Sequence, residues 1–211
     1  MDNLNQLYEA ILKGNLALAV ETTKIVIEQK ADTKLIIENY MSKAMDEIGQ
    51  RFEHGKAFVP ELLMSARAMK GALELLRPLL VDSHIPRAGT IVIGTVKGDL
   101  HDIGKNLVAS MLEGSGFEVI NLGVDISSGK FADSIIAHKA DILCLSALLP
   151  TTMNYMKEVI RTLEETGIRN QVKVMIGGAP ISHSFAQEIG ADGYSSNANA
   201  AVSLAKQLLA S

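Results

Sequence analysis

The chain has 211 residues, enough for one large domain or two small ones at roughly 100 to 200 residues each. Its 47% hydrophobic content, with 21% charged residues and only five prolines, excludes a disordered chain and provides for a sizeable core. Twenty basic against 24 acidic residues leave a net charge of -4, so nothing drives binding to nucleic-acid phosphates or to a membrane surface through a basic patch. The absence of Trp and the 4% aromatic content remove the stacking platforms of a single-strand nucleic-acid binder. No apolar run reaches the 18 or so residues of a membrane span, and MDNLNQLYEA lacks the basic start and apolar stretch of a signal peptide, so a cytoplasmic location is expected. The single cysteine, Cys144, rules out an intramolecular disulfide and a Cys-based zinc cage.

From Asn3 to about Val81 apolar residues recur at three- and four-residue intervals, which predicts helices near 3–13 and 15–30 followed by two longer ones. Ile37, Met41, Ala44, Met45, Ile48 and Phe52 form the stripe of the third, and Leu62, Ala66, Met69, Leu73 and Leu76 that of the fourth. Asp32 and Thr33 suit the start of the third helix, Gly55 its end, and Pro60 the first turn of the fourth. Together they predict an antiparallel four-helix bundle over residues 1–83. A polar Pro- and Gly-containing linker follows at 84–89, and the period then changes. Short apolar runs at 90–96, 117–123, 141–148, 172–178 and, weakly, 193–197 alternate with amphipathic stretches near 104–115, 128–139, 153–167, 181–189 and 197–210. This alternation predicts a doubly wound α/β domain over 90–211, a five-stranded parallel sheet of flavodoxin-like kind with its ligand at the carboxyl ends of the strands.

The first strand of that domain leads into Gly98-Asp99-Leu100-His101-Asp102-Ile103-Gly104-Lys105-Asn106. Five residues separate the glycines, and Asn follows Lys105, so a phosphate loop fits poorly; the Rossmann glycine fingerprint is missing as well. The third strand ends in Leu145-Ser146-Ala147, without the acidic residue of a receiver domain. An Asp two residues before a His can accept its ring N–H, fix the tautomer and raise the basicity of the other nitrogen. On local chemistry alone His101 is either a metal ligand or an ordinary loop histidine. With no second His or Cys nearby, zinc is disfavoured, and one protein ligand suffices only where a macrocycle supplies the others.

Asp99-Leu100-His101-Asp102-Ile103-Gly104 resembles the Asp-x-His-x-x-Gly signature of cobalamin-binding domains that hold the corrinoid base-off and His-on. The resemblance implies that His101 is the lower axial cobalt ligand, that Asp99 hydrogen-bonds it, and that Gly104, with Asp102 and Ile103 in the same loop, makes room for the displaced nucleotide tail. Ser146-Ala147-Leu148 is similar to the family's Ser-x-Leu, whose Ser contacts that tail, and Gly177-Gly178 to the Gly-Gly that lets it lie against the sheet. Thr152 falls where relatives often carry a hydroxyl that joins the His–Asp relay, and Pro150 replaces a frequent Thr. The segment from Phe52 to Glu61, with Ala66 and Met69, resembles the helical cap of methionine synthase and of small corrinoid proteins of anaerobic methyl transfer. It implies that Phe52 and Val59, with Phe58 close by, cover the upper corrin face; ordinary core packing is the alternative for these three.

By that resemblance the chain is a methyl carrier whose cobalt cycles between Co(I) and methyl-Co(III), with His101, Asp99 and Thr152 coupling protonation to the cobalt state. It implies three partners: a substrate-specific methyltransferase, a second methyltransferase with coenzyme M or tetrahydrofolate as acceptor, and a reductive activase. It also implies that the bundle moves on the linker to admit a methyl donor. A cobalamin-dependent sensor and the small subunit of a cobalamin-dependent isomerase are the alternatives. The first needs an output module that this sequence does not show, and the second predicts no Phe-containing helical cap.

Overall fold

The computed structural model describes residues 2–80 and 88–210. They form two compact units: the N-terminal helices, with which Glu113–Gly116 is grouped, and Ala88–Leu112 together with the chain from Phe117. The domain end expected at 83 and residues 84–87 of the expected linker lie outside the described residues.

The first unit comprises α1 (Asp2–Leu12), α2 (Leu16–Glu28), α3 (Thr33–Ile36), a π-helical segment (Ile37–Met41), α4 (Ser42–Glu53) and α5 (Val59–Leu80). Ile37 and Ser42 keep right-handed helical dihedrals at the two junctions, so α3, the π segment and α4 run as one rod. The four rods close a ring in which α1 and α5 each pack against α2 and α4. Polar side chains set the helix ends. Asn15 and Asp32 accept backbone N–H bonds at the starts of α2 and α3, and Glu61 reaches back to the Phe58 N–H at 2.8 Å. The buried Ser65 hydroxyl donates to Leu12 O at 3.1 Å, satisfying a carbonyl at the end of α1. The expected stripe of the third helix is displaced at its start: Ile36 is fully buried and Ile37 only half-buried. The π segment explains this, because its extra residue makes the buried step from Ile36 to Met41 five residues instead of four.

The second unit holds β1 (Thr90–Thr95), α6 (Ile103–Gly114), β2 (Glu118–Asn121), α7 (Ser128–His138), β3 (Ile142–Ser146), α8 (Asn154–Glu165), a 3-10 turn (Arg169–Gln171), β4 (Lys173–Gly177), α9 (His183–Ile189), β5 (Gly193–Tyr194) and α10 (Ala198–Ala210). All pairings are parallel, in the order β2-β1-β3-β4-β5, which is the doubly wound fold expected from the alternating pattern. One face carries Val92, Leu143, Leu145, Val174 and Ile176 into a core closed by Phe131, Val159 and Leu163 of α7 and α8. The crossover through α6 runs in the opposite direction to the later ones, so right-handedness puts α6 on the other face, where Ile91, Ile93, Cys144 and Met175 are buried. The order therefore reverses between β1 and β3, and a crevice opens there at the carboxyl ends.

Candidate functional site

Two of the residues marked by separate motifs, Ser146 and Gly177, share this crevice with Thr95 through strand register. Thr95 is paired with Ser146, and Ser146 with Gly177, so the last residues of β1, β3 and β4 lie side by side. Beyond Thr95 the chain turns through Gly98, in the left-handed region at φ 79°, and brings Asp99 to the segment that follows β3, where its side chain is 0% exposed.

Asp99 is the hub of the site. Its Oδ1 accepts the His101 N–H at 3.0 Å and His101 Nδ1–H at 2.8 Å. Its Oδ2 accepts Leu148 N–H at 2.8 Å, Leu149 N–H at 3.3 Å and the Thr152 hydroxyl at 2.7 Å. Burial by itself would raise the Asp99 pKa, but the bonds from Thr152, the Leu148 and His101 backbones and the His101 ring outweigh it and hold the carboxyl well below the usual carboxylate range. An ionised Asp99 can only accept, so Nδ1 carries a proton, and in the neutral ring this tautomer leaves the lone pair on Nε2. The imidazole is 50% exposed, and among the described residues none meets Nε2.

The β3–α8 turn supplies the second half of the hub. Thr152 N–H bonds to Leu149 O at 3.0 Å, closing a turn with Pro150 at its second position, where a fixed φ is favourable. That turn aims two successive N–H groups and the Thr152 hydroxyl at one carboxylate oxygen. Thr152 itself is buried. Pro150 thus has a conformational role in this chain.

The remaining marked residues divide by what holds them. Asp102 receives the Asn106 side-chain amide at 2.9 Å and the Asn106 N–H at its carbonyl, at the start of α6. Ile103 and Leu100 are 88% and 72% exposed, and Leu148, between β3 and α8, is exposed as well, so both segments present apolar side chains outward. A Cβ at Gly104 would meet nothing within 4 Å, so no contact of the chain itself requires glycine there. The Ser146 hydroxyl has no hydrogen bond to a described residue and Gly177 is half-buried beside it. Gly178 has its own structural cause: with φ 135°, a Cβ there would lie 1.8 Å from the Ala147 carbonyl oxygen. In the helical unit Phe52 is half-buried, Val59 exposed and Phe58 70% exposed, which removes core packing as the explanation for Phe58. His138 and His183 are exposed, His54 bonds the Gln50 carbonyl, and His84 lies outside the described residues.

Several contributors carry no motif of their own. The Thr95 hydroxyl donates to the His101 carbonyl at 2.9 Å, and Asp125 accepts the Gly98 N–H at 2.7 Å. Buried Lys105 bonds Asn106 Oδ1 and Asn121 Oδ1, both at 2.7 Å, tying the first turn of α6 to the end of β2; burial lowers its pKa, with the Asp102 charge opposing. The adjacency of Lys105 and Asn106 to the loop was the only trace of this network in the sequence.

Among the described residues no three His, Cys, Asp or Glu side chains gather as a metal cage. One oriented imidazole, an apolar rim, open space at Gly104 and an unengaged Ser146 hydroxyl fit a group that brings its own equatorial ligands and a broad apolar face. Models of a B12 binding domain match residues 89–203 and 4–77. Dimethylamine corrinoid protein 1 of Methanosarcina acetivorans is 44% identical over 94% of this chain and 92% of its own length. A corrinoid protein of Desulfitobacterium hafniense is 38% identical over 99% and 98%. Among solved structures, a cobalamin-binding protein from Desulfitobacterium hafniense superposes with TM-score 0.82 at 31% identity, covering 97% of this chain and 98% of that one. The methanol:cobalamin methyltransferase complex MtaBC from Methanosarcina barkeri gives 0.84 at 28% identity, over 99% of this chain and 80% of that one.

Proposed function

The chain belongs to the B12-binding corrinoid proteins, and from that premise we propose that it carries methyl groups between methyltransferases, holding its corrinoid through His101. The observation that carries the His101 assignment is the buried, five-bonded Asp99, which orients a half-exposed imidazole whose Nε2 meets none of the described residues. The bound corrinoid supplies a cobalt atom able to take up a methyl group and release it.

The chain's own residues do the rest. Asp99 fixes the tautomer and ring plane of His101 and strengthens Nε2 as a donor. Asp102 starts α6, Gly104 keeps its first turn clear, and Ile103 and Leu148 give the apolar group a dry surface. Ser146, next to Gly177 and leading to Gly178, offers a hydroxyl to the polar tail. Phe52 and Val59, with the exposed Phe58, are read as an apolar cover that excludes water from the reactive face. The partners in this reading are a substrate-specific methyltransferase, a second one acting on coenzyme M or tetrahydrofolate, and a reductive activase. Relatives named for dimethylamine make methylated amines the first donors to test. No described helix is long and apolar enough to cross a membrane, and the reading sets the work in the cytoplasm.

The test is reconstitution with methylcobalamin, comparing wild type with His101→Ala. Stoichiometric uptake with a spectrum that changes when His101 is lost, and nitrogen hyperfine splitting in the Co(II) form, are expected. No uptake overturns the carrier reading, and an unchanged His101→Ala spectrum overturns the axial role of His101.

A further inference from the structure

The loop bearing His101 is also gripped from a side outside its signature. In a regular parallel ladder the two partners of one residue lie two positions apart on the neighbouring strand. Thr95 instead receives and gives its bonds three positions apart: its N–H donates to Gly123 O at 3.0 Å, and its carbonyl accepts Ile126 N–H at 3.0 Å. The bridge between Val96 and Ile126 fixes the far side. One extra residue must therefore be taken up between Gly123 and Ile126, and Asp125 takes a left-handed backbone at φ 56° there. A non-glycine residue holds that conformation where its surroundings require it. In it, Asp125 Oδ1 accepts the Gly98 N–H at 2.7 Å, and its own N–H donates to the Asp99 carbonyl at 3.1 Å. The two bonds bracket the Gly98–Asp99 dipeptide, the stretch of backbone from which the Asp99 carboxylate extends to His101.

We propose that Asp125 is a positioning residue for the His101 loop, setting the direction in which Asp99 presents its carboxylate to the imidazole. The proposal rests on the axial role of His101. Asp99 itself is surrounded by donors that tolerate little displacement, so a loop released at Gly98 loses the Nδ1 bond first, since His101 is the exposed partner.

Three substitutions separate side-chain grip from backbone strain. Asp125→Asn keeps an acceptor oxygen and tolerates the left-handed region; Asp125→Gly removes the acceptor but relieves the backbone; Asp125→Ala removes the acceptor and leaves the backbone strained. The readouts are the ring-nitrogen NMR spectrum of His101 in the full chain without corrinoid, assigned with His101→Ala, and the fraction His-on after methylcobalamin is added. Asp125→Asn should keep the wild-type Nδ1–H resonance. Asp125→Gly and Asp125→Ala should lose it and need about tenfold more corrinoid to reach the same His-on fraction, the size expected for losing one bond to a charged acceptor. A folded Asp125→Gly chain that keeps the wild-type His101 resonance overturns the proposal, as does an Asp125→Asn chain that loses it. If wild type takes up no corrinoid, the carrier reading falls while the histidine spectrum still decides the role of Asp125.

Discussion

Asp99→Asn is the substitution that most directly tests the architecture of the site, because the carboxylate serves donors on two sides and an amide can serve only one. If the amide oxygen faces Leu148, Leu149 and Thr152, the NH2 group faces the His101 backbone N–H, and that part-buried donor loses its acceptor. His101 Nδ1 can adapt by changing tautomer; the backbone N–H has no such freedom. The lost bond costs about 1.5–3 kcal/mol and the four weakened ones about 1 kcal/mol each, while a neutral amide returns part of the desolvation cost, leaving about 3 kcal/mol. Urea unfolding of the protein without corrinoid, followed by circular dichroism at neutral pH, should show that loss. The pH dependence has a definite sign. The folded pKa of Asp99 lies below its ordinary 3.8, so its stabilisation is full above that value and fades as pH falls toward the folded one. The gap between wild type and Asp99→Asn should be constant above about pH 5 and narrow below about pH 4. A variant within about 0.5 kcal/mol of wild type at neutral pH would refute the hub, since the loss of one bond to a charged acceptor alone exceeds that.

Three further outcomes are expected. Gly104→Leu should leave the melting temperature of the corrinoid-free chain unchanged or slightly raised, because its Cβ meets nothing, yet abolish methylcobalamin uptake measured by gel filtration with visible detection. Gly178→Ala should cost more than about 3 kcal/mol in urea unfolding, since both the positive φ and the Ala147 carbonyl oppose a side chain. Cys144, buried in β3 with its thiol pushed up to about 12 by burial, should resist Ellman's reagent in the native chain and react as one thiol per chain in denaturant.

The element order was legible because each strand is a short apolar run and each helix an amphipathic one, so the change of period after residue 89 marks the change of architecture. The half-buried edge strand β2, with only Glu118–Asn121 paired, is shorter than its apolar run of 117–123 because the ladder already slips beyond Asn121, where the Thr95 N–H meets the Gly123 carbonyl in place of that of Leu122. The π segment was hidden, since one inserted residue changes which isoleucine is buried without changing the composition of the stripe. The Asp-x-His pair was legible because its bond is local, two residues apart. Thr95, Asp125 and the Leu148 and Leu149 N–H groups were not, since they reach the loop through sheet register and backbone atoms, and backbone donors have no residue type to recognise.

The same geometry decides where the exchangeable proton of the site resides. A carboxylate held by one imidazole alone could share its proton; Asp99 accepts four further bonds, from His101 N, Leu148 N, Leu149 N and Thr152, and each favours its charged form. Its lowered pKa therefore makes Asp99 a fixed acceptor at neutral pH, and the Nδ1 proton stays with His101. Thr152 donates into the same oxygen from a buried position, so it reinforces this polarity and offers no empty site for a second proton on Asp99. Asp99 and Thr152 therefore act on His101 as fixed partners, which hold the Nδ1–H bond and with it the orientation of the ring.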